Sequence, residues 1–378
     1  MIARTIENGV KDYLAGKSNK ILFIWGPRRS GKTTILKDIS QKTGARIFDF
    51  SLISDQELFS PDTQILEKII EKEKIILIDE VQNYESSAKI LKVLTDHFKV
   101  KVIATGSSEL RQKGQNFETL AGRFEELYCL PLDIYEIQNN KNQPAYQHKK
   151  LFNSIAKEAQ IYGNYPEVYL EKDPDKKIDL LKNLVETYVL KDIVNLYDLK
   201  NAKLARDVLL KIALQLGSEV SEREIAQNLQ TSPQTVSNYI EIFIKNYILI
   251  SLPSFGINTR RAVSKNRKLA FMDLGIRNAL VSDFRPLELR PDRGGVWENF
   301  IISEAEKRKR NGNLKRNFYF YREYSGREVD LVVEDYQKRY LCLEMKSGDT
   351  KNVKKVFPLK HDLKVINPQN YGEVLKTV

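Results

Sequence analysis

Short apolar runs alternate with longer segments of helical periodicity through the first 130 residues. Five runs predict strands because each is short, rich in β-branched or aromatic residues and bounded by turn residues: residues 21–25, 46–50, 75–79, 100–105 and 126–130. Strands that alternate with helices are typical of a parallel sheet. The pattern therefore predicts an α/β domain in this part of the chain.

The pattern changes after Pro131. Residues 138–150 are rich in Asn, Gln and Lys, which is a linker composition. The chain is then mainly helical to about residue 285, and a helix near Val296 leads into further strands. We predict three domains, at residues 1–137, 138–285 and 286–378.

Composition narrows the class of protein. Of 378 residues, 42% are hydrophobic and 29% charged, and no run approaches the roughly 18 apolar residues of a membrane span. The first twenty residues lack the apolar core of a secretory signal, so we expect a cytoplasmic protein without membrane contact. Cys129 and Cys342 lie in apolar runs, which indicates reduced core thiols and leaves oxygen ligands for any metal.

A net charge of +11 favours a polyanionic partner, with nucleic acid first. A lysine-rich composition without such a partner is the alternative. The basic residues form two clusters: Arg260, Arg261, Lys265, Arg267 and Lys268; and Lys307, Arg308, Lys309, Arg310, Lys315 and Arg316.

The segment between the first strand and its helix fits the phosphate-binding pattern G-x-x-x-x-G-K-T. Backbone N–H groups and a helix N-terminus bind phosphate there, Lys32 adds positive charge toward the β/γ positions, and Thr33 offers a hydroxyl to magnesium. The motif predicts ATP and Mg²⁺ as cofactors, bound by Gly26, Pro27, Arg28, Arg29, Ser30, Gly31, Lys32, Thr33 and Thr34.

The strand 75–79 delivers two carboxylates to the same sheet edge. Asp79 is suited to hold Mg²⁺ and Glu80 to act as the base for the attacking water. Thr105 and Ser107, at the end of the next strand, are predicted to orient the water or read the γ-phosphate. Arg123 is predicted to be an arginine finger, in cis or from another subunit, or else a surface residue paired with a neighbouring glutamate, Glu125 or Glu126.

Residues 15–135 resemble the AAA-type ATPase domain of a large prokaryotic group (AAA_14-like), in which a GPRxxGKTT loop, an IDEVQ strand and a TGSS strand recur in this order. The resemblance implies a P-loop NTPase fold of the AAA/ASCE type and the roles given above for Lys32, Thr33, Asp79 and Glu80. Two later segments are similar to the family's DUF4143-like partner region: residues 162–166, with Asn164 where a second glycine is common, and 187–193.

The middle block contains a helix-turn-helix pattern. Ser221 and Ser232 are predicted N-caps of two short helices, and an apolar face on the second leaves Gln234, Thr235, Ser237 and Asn238 for a groove. Residues 248–252 resemble a wing strand, and 260–268 a basic loop for phosphates. The pattern predicts a winged helix that binds DNA, or one that serves only packing or protein contact.

The last block places Glu298 on a helix, Asp330 on one strand, and Glu344 and Lys346 on one face of the next. The set resembles the PD-(D/E)xK nuclease superfamily, with Val329 in place of the nominal proline and a helix expected before a last strand at 363–366. It implies that Glu298, Asp330 and Glu344 hold Mg²⁺ or Mn²⁺ and that Lys346 assists cleavage. A salt-bridged strand pair, or a fold retained only for binding, is the alternative.

Together these patterns predict an ATP-hydrolysing protein whose carboxyl-terminal half binds DNA, with an ATP-regulated nuclease as the most specific form. The alternative is a nucleotide-dependent regulatory or binding module with an inactive nuclease-like fold and a protein or RNA partner. A homo-oligomer is compatible with either.

Overall fold

The computed structural model describes residues 2–107, 117–141, 148–193, 201–256, 267–323, 327–348 and 356–378. The chain forms two compact units, the first Ala3–Leu130 and the second Pro131–Val378 together with Ile2. The finer division into three domains remains a prediction. Among the described residues, no helix combines the length and the apolar character needed to cross a membrane.

The first unit contains a five-stranded parallel sheet in the order β2-β3-β4-β1-β5. Its strands are β1 Ile21–Trp25, β2 Ile47–Asp49, β3 Ile75–Asp79, β4 Lys101–Gly106 and β5 Phe124–Tyr128. The parallel α/β sheet predicted from the sequence is confirmed. Because β4 lies between β1 and β3, the carboxyl ends of all three strands meet at one edge.

The described part of this unit has five α-helices, one before β1 and four between strands: Ile6–Ala15, Lys32–Thr43, Ile53–Leu58, Thr63–Ile70 and Ser87–Asp96, with 3-10 turns at Val81–Asn83 and Phe117–Leu120. The helix Lys32–Thr43 buries Ile35, Leu36 and Ile39 in a core shared with β1, β3 and β4. Apolar residues at this spacing form one face of a helix, and burying each contributes about 1.5–3 kcal/mol. This packing fixes the start of the helix beside the end of β1.

The second unit is helical through its first half. Its described helices are Ile134–Asn139, His148–Tyr162, Pro166–Leu170, Pro174–Leu184, the π-helix Val185–Asp192, Ala202–Ala213, Glu222–Asn228, Pro233–Lys245, Leu274–Val281, Arg293–Asn311 and Tyr371–Val374, with 3-10 turns at Leu287–Leu289 and Leu375–Thr377. Ser221 and Ser232 cap the helices that follow them by accepting the N–H groups of Glu224 and Thr235. Both predicted caps are confirmed.

Two antiparallel or mixed sheets complete this unit. The three-stranded sheet has the order β6-β8-β7, with β6 Glu219–Val220, β7 Leu249–Pro253 and β8 Arg267–Phe271. The four-stranded sheet has the order β12-β11-β10-β9, with β9 Arg316–Arg322, β10 Glu328–Asp335, β11 Tyr340–Met345 and β12 His361–Ile366. The helix expected between β11 and β12 falls largely on residues 349–355, outside the described part of the chain.

The register of the four-stranded sheet sets the position of its acidic residues. Leu331 of β10 pairs with Leu343 of β11 in antiparallel register, so Asp330 lies opposite Glu344. Cys342 lies on β11 in an apolar cluster of this unit, and Cys129 lies in the first unit. Both cysteines are buried and form no disulfide. The predicted role of the two cysteines as core thiols is therefore confirmed.

Candidate functional site

The loop between β1 and the helix Lys32–Thr43 has the geometry that its motif requires. A β-carbon at Gly26 would lie 1.9 Å from the carbonyl oxygen of Cys129, so only glycine fits there. Gly31 precedes the helix with φ of 104°, in the left-handed region that favours glycine. The loop therefore ends at the N-terminus of a helix, whose N–H groups and positive dipole end favour anion binding.

Lys32 is buried within this loop, with 4% of its surface exposed. Its Nζ donates to the carbonyl oxygens of Gly26 and Pro27, each over 2.9 Å, and the Ser30 hydroxyl also donates to Pro27, over 2.8 Å. These bonds hold the ammonium inside the loop that would surround a phosphate. The other predicted loop side chains are exposed: Arg28, Arg29, Thr33 and Thr34.

Threonine hydroxyls hold both carboxylate oxygens of Asp79, the last residue of β3. Thr33 Oγ1 donates to Oδ2 over 2.7 Å, and Thr105 Oγ1 donates to Oδ1. A carboxylate and a hydroxyl are oxygen donors of the kind that Mg²⁺ prefers, so Asp79 and Thr33 fit a magnesium site. Thr105 was predicted to orient water or read a γ-phosphate, and its hydroxyl here contacts Asp79.

Glu80 lies between the end of β3 and the 3-10 turn Val81–Asn83. Its φ of 50° lies in the left-handed region, which is uncommon for a residue with a side chain. Its N–H faces Asp79 Oδ1 at 3.2 Å and Thr105 Oγ1 at 3.3 Å. Its carboxylate accepts a hydrogen bond from the amide of Gln82.

Within the part of the chain that the structure describes, two buried polar atoms near this edge have no hydrogen-bond partner: Ser107 Oγ and Gln82 Oε1. Ser107, which was predicted to act here, is 3% exposed at the end of β4. Gly106 lies against Gln82, since a β-carbon there would be 2.8 Å from Gln82 Oε1. Sequence reasoning missed Gln82, although its position two residues after Glu80 was visible.

Arg123 lies at the opposite end of the sheet from the phosphate-binding loop. Its carbonyl accepts the N–H of Ile21, the first residue of β1, whereas the loop follows the last residue of that strand. Its Nε donates to both carboxylate oxygens of Asp96, at 2.8 and 3.0 Å, and this bond lowers the pKa of Asp96. The cis finger is therefore wrong, as is pairing with Glu125 or Glu126. A finger role in another subunit stays a prediction.

A second group of acidic residues lies in the second unit. Glu298, Glu328 and Asp330 each present a carboxylate oxygen within 4.8 Å of the others. Asp330 Oδ2 accepts the backbone N–H of Met345 over 2.6 Å. The structure thus brings together Glu298 and Asp330, as predicted, and adds Glu328. We call Glu298, Glu328, Asp330 and Glu344 the carboxylate cluster.

Two lysines offset part of this negative charge. Lys268 of β8 is 3% exposed, and its Nζ contacts Glu298 Oε1 at 2.8 Å and also Glu328. Lys346 contacts Glu344 Oε1 at 2.6 Å, with 42% of its side chain exposed. Lys346 was predicted here from its spacing. Lys268 was instead predicted as part of a basic cluster for nucleic acid, which its burial contradicts, and its contact with Glu328, 60 residues away, had no local signal.

The electrostatics of the carboxylate cluster follow from burial and proximity. Burial, with the charges of Glu298 and Glu344, raises the pKa of Asp330 to about 7. Burial raises the pKa of Glu298 despite the opposing charge of Lys268. Burial would lower the pKa of Lys268, but Glu298 and Glu328 outweigh it and leave that pKa raised. The cluster therefore retains excess negative charge, which a divalent cation would offset, so its oxygens fit Mg²⁺ or Mn²⁺.

Three family models match successive parts of the chain. A model described as an AAA domain (AAA_14) matches residues 18–138. Two domains of unknown function follow, DUF8612 at residues 153–288 and DUF4143 at residues 293–375. The segments 162–166 and 187–193, predicted to be DUF4143-like, therefore lie in the DUF8612 match instead. With the loop and Asp79 geometry, the first match shows an AAA-type P-loop ATPase domain in the first unit.

Relatives extend over much of the chain. An uncharacterized protein of Haemophilus influenzae is 27% identical over 296 residues, covering 73% of each chain. The uncharacterized protein MJ1544 of Methanocaldococcus jannaschii is 26% identical over 372 residues, covering 92% of this chain and 80% of its own.

Among solved structures, the RuvB Holliday junction branch migration motor of Thermotoga maritima has a TM-score of 0.30 at 14% identity, covering 66% of this chain and 89% of its own. The Hsp104–ADP complex of S. cerevisiae has a TM-score of 0.33 at 15% identity, covering 82% of this chain and 44% of its own. Both likenesses are too distant to bear on function.

Proposed function

We propose that this chain binds and hydrolyses ATP with Mg²⁺ at the loop between β1 and the helix Lys32–Thr43. The observation that carries the proposal is the Asp79 carboxylate, which Thr33 and Thr105 hold beside the loop that encloses Lys32. The AAA domain match over residues 18–138 supports it. An ammonium, a hydroxyl and a carboxylate meeting at one sheet edge are the groups that phosphoryl transfer needs.

The side chains divide the work of hydrolysis. Loop N–H groups and Lys32 bind the β- and γ-phosphate oxygens, and Asp79 and Thr33 would hold Mg²⁺. When bound, this ion neutralises charge on the phosphates. Glu80 accepts a proton from water as the water oxygen attacks the γ-phosphorus and ADP leaves.

Calorimetry with Mg²⁺ and ATP tests the binding step. We expect the wild type to release heat and Lys32→Ala to bind at least about tenfold more weakly, because the phosphates lose their nearest positive charge. Lys37→Ala is the matched control, since Lys37 is an exposed lysine of the same helix. A folded wild type that gives no heat would overturn the proposal.

We also propose that the second unit contacts DNA through a winged helix-turn-helix. The helices Glu222–Asn228 and Pro233–Lys245 precede β7 and β8, which is the order of elements in that module. The second helix exposes Gln234 and Asn238, which hydrogen-bond each other over 3.0 Å. Thr235 and Ser237 are half-buried.

The basic clusters give this proposal less support than the sequence indicated. Lys307 is 2% exposed and pairs with Glu304, while Lys309 and Arg310 both pair with Glu306. Arg267 pairs with Glu222 and Glu241. Paired or buried cations contribute little to a surface field. Three members of the first cluster lie outside the described residues: Arg260, Arg261 and Lys265.

Duplex binding at several salt concentrations tests DNA contact. Neutralising phosphates releases counterions, so we expect affinity to fall steeply between about 50 and 200 mM salt. Replacing Gln234 and Asn238 with alanine should weaken binding further if this helix enters a groove. A flat salt response would count against a DNA partner.

The carboxylate cluster favours a second candidate function, metal-dependent DNA cleavage. Glu298, Asp330 and Glu344 would hold Mg²⁺ or Mn²⁺, and Lys346 would stabilise developing charge on the phosphate. Supercoiled plasmid incubated with either metal tests the candidate: wild type should cut it and Asp330→Ala should not. Asp335→Ala is the control, because Asp335 lies on the same strand and pairs with Arg339 away from the cluster.

A regulatory or binding module without cleavage is the alternative, with a protein or RNA partner. Its support is Lys268, which neutralises part of the carboxylate cluster from within the protein. This alternative would be favoured if the wild-type protein hydrolyses ATP but leaves the plasmid uncut with either metal. The same ATP assay at several protein concentrations would show whether another subunit supplies Arg123.

A further inference from the structure

Backbone hydrogen bonds hold the main chain of Glu80 in place, but they do not determine where its carboxylate points. Its N–H faces Asp79 and Thr105, and its carbonyl accepts the N–H of Asn83 over 3.0 Å in the 3-10 turn that follows. These contacts set the direction of the Cα–Cβ bond. The side chain beyond it has three rotatable bonds, so another group must aim the carboxylate.

Gln82 is that group. Its Nε2 donates to Glu80 Oε2. An ionised carboxylate only accepts hydrogen bonds, so the amide nitrogen must face it and the amide oxygen must point the other way. That oxygen lies against Gly106, where a β-carbon would be 2.8 Å away. Glycine at this position leaves the space that the amide occupies.

The orientation of the amide leaves its oxygen buried, with no hydrogen-bond partner among the described residues. An unsatisfied buried oxygen costs stability, and an apolar side chain of the same length would avoid that cost. Packing alone therefore does not account for an amide here. The bond to Glu80 is what the amide supplies and an apolar side chain would not.

We propose that Gln82 is a positioning residue for ATP hydrolysis, which holds the carboxylate of Glu80 in the orientation that accepts a proton from the attacking water. The inference rests on the proposed role of Glu80 as the base. Gln82 acts through Glu80 and needs no contact with the nucleotide. Its loss should therefore slow turnover and leave nucleotide affinity unchanged.

Gln82→Met and Gln82→Glu test the inference in the full chain. Methionine keeps the length and removes the donor, and glutamate replaces the donor with a repelling charge. We expect both to lower kcat about 10- to 100-fold while the calorimetric Kd for ATP stays within about twofold. Gln64→Met is the matched control, since Gln64 is an exposed glutamine of the same unit, and its kcat should equal that of wild type.

A double-mutant cycle with Glu80→Gln separates positioning from a general structural effect. If Gln82 acts through Glu80, Gln82→Met should change the residual rate of the Glu80→Gln variant by less than about twofold. A structural role would lower the rate by the same factor in both backgrounds.

The outcomes distinguish this inference from the function on which it rests. A wild type that turns over ATP while Gln82→Met and Gln82→Glu match it, or exceed it, would overturn the role of Gln82 alone. If Gln82→Met lowers kcat by the same factor in wild type and in the Glu80→Gln variant, the role of Gln82 is also overturned. A folded wild type without ATP turnover would remove the proposed function itself.

Discussion

Asp79 and Asp330 both lie in groups of functional side chains, but the protein holds their charges differently. The oxygens of Asp79 accept hydrogen bonds from neutral groups, the hydroxyls of Thr33 and Thr105 and the backbone N–H of Glu80. Asp330 accepts one backbone N–H and lies in a cluster that Lys268 partly neutralises. Neutral donors leave the negative charge of Asp79 available to a cation. The ammonium group of Lys268 allows the carboxylate cluster to form without a bound metal cation.

This contrast bears on which site is tied to catalysis. A carboxylate oriented by hydroxyls beside a phosphate-binding loop has a specific use in phosphoryl transfer. A buried carboxylate–lysine group is also a common structural device, and breaking such a group costs stability. The first site should therefore respond to substitution mainly in turnover, and the second mainly in stability.

The largest expected effect is on turnover in Glu80→Gln. The amide cannot accept the proton of the attacking water, so kcat should fall by at least about 100-fold, while the Kd for ATP with Mg²⁺ stays within about twofold. Phosphate release and calorimetry measure the two quantities. Glu85→Gln, an exposed glutamate nearby in the sequence, is the control. Wild-type turnover in Glu80→Gln would remove Glu80 from the role of base.

The first site could be predicted from the sequence because its signals are local. Lys32 belongs to an eight-residue loop motif, and Asp79 ends a continuous apolar run, so β1 and β3 were predicted with the bounds observed. The strand β5 was predicted at 126–130 and lies at Phe124–Tyr128. Polar residues on this edge strand hid its start, because Glu125 and Glu126 do not give the pattern of a buried strand.

The parts that were missed depend on side chains meeting across long stretches of chain or in one rotamer. Lys268 reaches Glu298 and Glu328 only because β8 lies beside them, and no spacing in the sequence encodes that contact. The same is true of Arg123, whose partner Asp96 is 27 residues away. Motifs therefore identified the loop chemistry, whereas charge pairing needed the fold.

Lys268→Met sharpens the comparison through stability. Methionine keeps the length of the side chain but leaves Glu298 and Glu328 without their buried cation, so we expect the local free energy of unfolding to fall by about 3 kcal/mol. Hydrogen exchange at the amides of β8 and β10 measures this local opening. ATP turnover should not change.

Lys157→Met is the control for that substitution. Lys157 and Glu288 form an ion pair with both side chains about two-thirds exposed, at 67% and 65%, and such pairs contribute little. Exchange should stay at the wild-type rate in this variant. Equal exchange in Lys268→Met and wild type would show that the buried pairs do not hold the cluster together.

The smallest expected effect is a pH dependence that belongs to Asp330. Its pKa is raised to about 7, so the folded protein keeps this proton where the unfolded chain has lost it. The resulting stability is fully present below the unfolded pKa, near 4, and is lost as pH rises to about 7. Asparagine at position 330 has no ionisable group, so the Asp330→Asn variant should not lose this stability as pH rises.

Hydrogen exchange of β10 in buffer with EDTA, at pH 5 and pH 8, measures the difference after correction for intrinsic exchange rates. The free energy of opening should fall by about 2.5 kcal/mol more in wild type than in Asp330→Asn over this range. Asp335→Asn is the control, because the hydrogen bonds that Asp335 accepts from Arg339 lower its pKa and place its titration below this window. Parallel pH profiles for wild type and Asp330→Asn would mean that the charges around Asp330 are already balanced. The contrast with Asp79 would then rest only on the hydrogen bonds that Asp79 accepts from hydroxyl groups.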